Sequence, residues 1–180
     1  RDGLTFHDGE PLTSADVLFT IQLAQNPDIK SPRRPDWEGD AVSAPDEHTV
    51  VFTLPHAYAP FLENATLGIL PKHLWESVAA EEFPFHALNT HPVGSGPYRV
   101  ADVALDATGA PTEYSLKAFS GFALGKPHIS TITYHVYKHD TSLLAAASAG
   151  DIESFVASSP KVIPREMQDK GQFLRIPLTR

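Results

Sequence analysis

No cysteine occurs in the 180 residues, which excludes disulfides and thiol chemistry and fits an oxidising or a reducing compartment equally well. No apolar run approaches the ~20 residues that a membrane-spanning helix needs. Cations are scarce: 14 Lys and Arg stand against 22 Asp and Glu, a formal net charge of −8. The densest basic spot, Lys30 with Arg33 and Arg34, is broken by Pro32 and Pro35. Nothing resembles a phosphate-tracking surface, so nucleic acid is not an expected partner. The acidic balance leans weakly toward cationic solutes.

Catalytic patterns are also missing. Nine histidines invite a metal hypothesis, yet His86 and His91 fall in a loop-like stretch, and His135 and His139 straddle an expected strand end. Neither a zinc-type HExxH helix nor paired CxxC is present, so metal ligands are not expected and the histidines read as structural or surface groups. No Gly-x-Ser-x-Gly elbow exists, and Gly94-Ser95-Gly96 leads into a strand rather than the helix N-terminus that phosphate binding uses. Carboxylates are plentiful, but sequence alone brings no pair to glycosidase spacing. No catalytic residue and no cofactor is expected.

What the chain has is a core-building composition, 42% hydrophobic, arranged with clear punctuation. Thr13 reads as the N-cap of a helix carrying Val17, Leu18, Ile21 and Ala24 at helical spacing, and Asn26-Pro27 ends it. Residues 27–40 hold Pro27, Pro32 and Pro35 and read as an irregular surface excursion. Trp37 in that excursion, beside Arg33 and Arg34, could contact a ligand, but the plainer expectation is that it plugs its own lobe. A hairpin follows, with strands over 41–44 and 48–54 and a turn at Pro45-Asp46-Glu47. Pro60 and Pro71 each stand where a first helical turn begins.

The pattern changes after Gly96. Strands are expected over 98–103 and 113–118, joined through Asp106-Ala107-Thr108-Gly109. A further strand over 129–137 should bury Ile132, Tyr134 and Val136. A helix through Leu143 and Leu144, capped by Asp140 or Thr141 and closed by Gly150, leads to an apolar strand over 152–157. That β-α-β unit implies a parallel pair with a right-handed crossover. A short helix over 164–170 and a strand over 172–178 complete the reading.

Between the two patterns stands Gly94-Ser95-Gly96-Pro97-Tyr98. The glycines can take positive φ, and Pro97 fixes its own φ and pushes Gly96 toward extended backbone. Such a segment is either an ordinary tight turn or a hinge or crossing between lobes, with Gly94, Gly96, Pro97 and Tyr98 as its residues.

The opening Arg1-Asp2-Gly3-Leu4-Thr5-Phe6-His7-Asp8-Gly9-Glu10-Pro11-Leu12-Thr13-Ser14-Ala15-Asp16-Val17 strongly resembles the segment that marks the oligopeptide/dipeptide/nickel class (family 5) of ABC-transporter solute-binding proteins. The resemblance continues in order through Asp46-Glu47-His48-Thr49-Val50, Tyr58-Ala59-Pro60-Phe61-Leu62, Leu70-Pro71-Lys72-His73 and Gly94-Ser95-Gly96-Pro97-Tyr98. It extends to Ala149-Gly150-Asp151-Ile152-Glu153, where the family more often has Asp at the Glu153 position.

The resemblance implies an α/β fold of the type II periplasmic-binding-protein kind. Residues 1–93 would form the small α/β subdomain, incomplete at its N-terminus. Residues 94–180 would form part of ligand-binding lobe I, ending near the hinge to a missing lobe. Both ends read as cut, so the chain is expected to be a central fragment. Carried over position by position, Val156, Ala157 and Ser158 would face the cleft, and Arg33 would stand at a tip that reaches peptides, without the aromatic found there in peptide binders. The main anchors for a peptide's amino terminus would lie in the missing lobe.

The implied function is the substrate-binding component of an ABC importer. A monomer in the bacterial periplasm, or anchored outside the cell as a lipoprotein, would capture a peptide, metal chelate, haem or sugar and deliver it to the membrane permease. The alternative is a ligand-sensing domain of the same fold in a transcription regulator; a signal peptide or a helix-turn-helix upstream would decide between them.

Overall fold

The computed structural model describes residues 1–170, so the strand expected over 172–178 lies outside the described residues. The chain divides into two compact units, Arg1–Tyr134 and His135–Arg180.

The first unit is organised by helix α1, Ser14–Gln25. Thr13 closes a capping box: its side chain accepts from the first-turn backbone, and Asp16 returns a bond to the Thr13 N–H at 2.9 Å. Asn26 ends the helix in extended backbone, and Pro27 begins a single 3-10 turn, so both sequence boundaries hold. The excursion after it is less irregular than expected, because Arg34–Trp37 forms one helical turn, α2. Trp37 is 1% exposed, which settles its role as a plug. It packs with Ile21 and Ala24 of α1.

Strands β1, Ala41–Asp46, and β2, Thr49–Thr53, form an antiparallel hairpin that lays Val42 and Phe52 on that core. The turn falls at Glu47-His48, later than the expected Pro45-Asp46-Glu47. Asp46 Oδ1 accepts from the His48 N–H at 2.9 Å and tightens the turn there. Pro45 instead sits in a register shift between Ser43 and Asp46, where its missing N–H interrupts no regular ladder. Helices α3, Phe61–Asn64, and α4, Lys72–Trp75, each start just after a proline. Pro60 and Pro71 are the N-caps rather than first-turn residues, and their carbonyls accept the opening bonds.

After Gly94-Ser95-Gly96-Pro97, β3, Tyr98–Leu105, and β4, Pro111–Ala118, pair antiparallel, and β5, Thr131–His135, completes a sheet in the order β3-β4-β5. Val100 faces Leu116 and Asp102 faces Ser115, so Ala101 is an extra residue, a β-bulge. The bulge moves the half-buried face from Tyr98 and Val100 to Val103. β5 is shorter than expected. Tyr134 and Val136 are 56% and 51% exposed, so only Ile132 of the predicted buried row is covered. Alternation in sequence marks a strand, but a face is buried only where another layer covers it.

In the second unit, α5 spans Asp140–Ala149 and ends at Gly150, which takes the left-handed conformation at φ 82°. His139, not Asp140 or Thr141, occupies the N-cap, and its side chain makes no capping bond. The expected strand over 152–157 is absent. The backbone there joins no ladder, and Val156 is 93% exposed. An apolar run supplies strand propensity, but a strand exists only where a neighbour takes up its N–H and C=O groups. The β-α-β unit is therefore not formed among the described residues. Helix α6, Arg165–Lys170, matches the last expected helix.

Candidate functional site

The opening motif, with Thr20 just beyond it on α1, builds a polar junction. Asp16 is only 6% exposed, and both its oxygens are used. Oδ2 accepts from the Thr13 N–H at 2.9 Å, and Oδ1 accepts from the Lys72 N–H, also at 2.9 Å. One turn along the same face, the buried Thr20 hydroxyl donates to the Asp16 carbonyl at 2.7 Å and accepts from the Leu70 N–H at 2.9 Å. The segment leading into α4 is thus held on α1 by side chains four apart, which share one helical face. At the front of the helix, Ser14 donates through its hydroxyl to the Asp46 carbonyl and through its N–H to the Glu47 carbonyl, joining the hairpin turn. No buried side-chain nitrogen or oxygen among the described residues lacks a partner.

Upstream, the chain makes a tight loop: the Phe6 N–H donates to Glu10 and the Gly9 N–H to Phe6, with Gly9 at φ 96°. That φ excludes most side chains and explains a glycine there. Asp8 projects from the loop to His73 of α4 at 2.8 Å, and the His73 ring stands against Phe6. Partial burial by itself would raise the Asp8 carboxyl, but bonding to His73, the Glu10 N–H and the His73 charge outweigh it and hold the group below its ordinary value. Asp46 is likewise lowered, first by the His48 N–H and then by the Thr49 side chain.

His7 connects this loop to the Gly-Ser-Gly-Pro-Tyr segment. Its N–H donates to the Gly94 carbonyl at 2.8 Å. Its ring accepts from the Gly94 N–H through Nδ1 at 3.2 Å, and Nε2 lies 3.0 Å from the Gly96 carbonyl. The ring also meets Phe119 edge-on at 5.0 Å, and the Phe119 N–H donates to the Pro97 carbonyl at 2.8 Å. Tyr98, the first residue of β3, donates its hydroxyl to the Ile129 carbonyl at 3.1 Å. Gly94, Gly96 and Pro97 thus share one hydrogen-bonded junction.

The candidate ligand residues lie elsewhere. Arg33, in the first unit, is exposed at the N-cap of α2 and pairs with Asp36 at 3.2 Å. In the second unit Val156 is exposed, Ala157 is half-buried, and the Ser158 hydroxyl donates to Asp140. An apolar cavity of about 180 Å³ in the first unit is lined by Thr20, Leu23, Ala24, Ile29, Leu67 and Phe83 among others, and includes none of these candidates. Among the described residues, no group of three or more His, Asp or Glu is placed to hold a metal ion.

Sequence reading missed His7, the double duty of Asp16 and the Thr20 tie. It also missed Gln25, whose side chain donates to the Trp37 and Asp40 carbonyls at 2.8 Å each, and Asn64, which donates to the Asp36 carbonyl at 2.9 Å. Asp16 could have been found, since Asp three residues after Thr13 is a capping-box signal. The others bond to backbone 12 to 89 residues away and leave no local trace.

These residues form a mixed α/β architecture in which the opening motif is tied into the fold by hydrogen bonds. The chain belongs to the bacterial extracellular solute-binding proteins, family 5, whose middle portion matches residues 1–175.

It is 31% identical over 160 residues to the oligopeptide-binding protein AppA of Bacillus subtilis, covering 86% of this chain and 28% of that protein. The crystal structure of B. subtilis AppA with a nonapeptide superposes with a TM-score of 0.74 at 29% identity, covering 84% of this chain and 30% of AppA. The ABC-transporter substrate-binding protein CtaP of Listeria monocytogenes gives 0.71 at 34% identity, covering 84% and 31%. NikZ of Campylobacter jejuni, in complex with Ni(L-His), gives 0.73 at 27%, covering 84% and 29%. The chain therefore spans less than a third of the length of these relatives. Its fold is that of part of a family 5 periplasmic binding protein, in a family of extracytoplasmic proteins.

Proposed function

We propose that the intact protein is the substrate-binding component of an ABC import system, which captures a peptide or similar small solute between two lobes and delivers it to the membrane permease. It makes and breaks no covalent bond. Binding energy drives closure of the lobes about their hinge, water leaves the cleft, and the closed form is what the permease recognises. The protein acts as a monomer, in the periplasm or held outside the membrane as a lipoprotein.

Residues 1–93 serve as the small α/β subdomain and 94–180 as part of the first ligand-binding lobe, with Gly94, Gly96, Pro97 and Tyr98 at the crossing. Val156, Ala157 and Ser158 contribute to the cleft, and Arg33 stands at the tip near a bound peptide. No helix among the described residues is long and apolar enough to cross a membrane.

The observation that carries this reading is the family match over residues 1–175, supported by the superposition on AppA in its peptide-bound form. None of the relatives named above is described as a regulator. The test is native mass spectrometry of the intact protein purified without added ligand, followed by calorimetry with the peptides recovered. Release of peptides on denaturation, and saturable rebinding of synthetic copies, is the expected result. The 180-residue chain alone should show no heat at concentrations that saturate the intact protein. Tight binding by the short chain, or intact protein that neither carries nor rebinds any peptide or small solute, would overturn the proposal.

A further inference from the structure

The structure assigns His7 a positioning role: its neutral imidazole, protonated on Nε2, locks the Gly94–Pro97 segment to the N-terminal loop, so this segment is a fixed crossing and not a pivot. The ring is the only polar side chain that the described hydrogen bonds place on that segment from elsewhere in the chain. It bonds the segment at two points, and the His7 backbone adds a third bond to Gly94. The proton's position follows from the partners. A backbone N–H can only donate and a carbonyl can only accept. Nδ1, which faces the Gly94 N–H, must therefore carry the lone pair, and Nε2, which faces the Gly96 carbonyl, must carry the proton.

A β-carbon on Gly94 would stand 3.7 Å from the His7 ring, ordinary contact, so the residue is not required by crowding there. Neither Gly94 nor Gly96 takes a positive φ. The two glycines thus sit in backbone conformations open to other residues, and intrinsically flexible backbone is held in one shape by bonds from outside. From Pro97 the restraint passes on through the Phe119 N–H bond, where β4 ends beside the start of β3. Phe119 in turn contacts the His7 ring, which closes a circuit of three segments distant in sequence. This inference concerns the first unit alone and stands whichever solute the protein carries.

Two measurements on the intact protein test it. Selective nitrogen-15 labelling of histidine should give His7, assigned by its disappearance in His7→Ala, the signature of a neutral ring protonated on Nε2. An Nδ1-protonated or charged ring at pH 7.5 would overturn the assignment. Hydrogen exchange should then show the Gly94 amide exchanging about tenfold faster in His7→Ala, the size expected for one lost backbone-to-side-chain bond. His7→Asn, whose side-chain oxygen stands close to the Nδ1 position, should restore most of that protection, while His7→Leu, similar in bulk, should not. Equal exchange in all four proteins, or restoration by Leu, would sink the lock. Failure of peptide binding would leave these readouts untouched, so the two proposals fail separately.

Discussion

Replacing Asp16 by Asn tests whether the opening motif is architectural. Asp16 is 6% exposed, with Oδ2 accepting from the Thr13 N–H at 2.9 Å and the Thr13 hydroxyl at 3.2 Å, while Oδ1 accepts from the Lys72 N–H at 2.9 Å. Asn has the same shape but one acceptor oxygen. Whichever way its amide turns, an NH2 group faces a backbone N–H that has lost its acceptor. A buried donor left unpaired costs about 1–3 kcal/mol. Removing the negative charge from the first turn of α1 adds about 0.5 kcal/mol. The combined loss is about 1.5–3.5 kcal/mol.

Urea unfolding followed by tryptophan fluorescence suits the measurement, because Trp37 and Trp75 are both buried in the same unit as Asp16. With a slope of about 2 kcal/mol per molar urea, the midpoint should fall by about 1–2 M. The Lys72 amide should lose exchange protection more than amides at the far end of α1. An exposed control, Asp28→Asn, should move the midpoint by no more than a few tenths of a molar. A midpoint for Asp16→Asn indistinguishable from the parent, with Lys72 still protected, would refute the reasoning.

Trp37→Ala should cost about 3–5 kcal/mol, since the ring is 1% exposed and lies against Phe52 and Phe61; the same urea titration reads it. Asp8 has a folded-state pKa below its ordinary 3.8, so its contribution is complete above that value and is lost as pH falls through the lower folded one. Asp8→Asn should therefore flatten the acid limb of the stability profile below pH 3.8, read by urea titrations across that range. Gly150→Ala should destabilise α5 by about 1–2 kcal/mol through its φ of 82° alone, because a β-carbon there meets nothing within 4 Å. Gly150→Asn should cost less, and amide exchange at the end of α5 distinguishes the two.

Legibility in the sequence followed the range of the forces involved. Thr13, Asn26-Pro27 and Gly150 act on backbone within a turn of themselves, and each boundary fell where it was expected. The hairpin was found but its turn was misplaced. Pro45 looked like a turn residue, and only the pairing of Asp46 with Thr49 reveals that it sits in a bulge. The run over 152–157 had the right composition for a strand and no partner among the described residues. The family itself was legible because its motif residues occur in order along the chain. The reason for the opening motif was not: Asp16 reaches Lys72 and His7 reaches Gly94 across distances in sequence that no local pattern encodes. Arg33 and Val156, Ala157 and Ser158 rest on positional likeness, with no local physics to mark them.

The extra residue at Ala101 has a consequence for reading other members of the family. Side chains along a strand point alternately to opposite faces, so a single inserted residue reverses their parity for everything downstream. A homologue one residue shorter between Tyr98 and Val103 would show an aligner a trivial gap. For the molecule it would mean a strand without the bulge, in which position 103 still faces Tyr114 and keeps its half-buried side while position 102 stays outward. Apolar residues in such a homologue should therefore alternate without a break from the Tyr98 position to the Val103 position, and where they do not, the gap has been drawn in the wrong place.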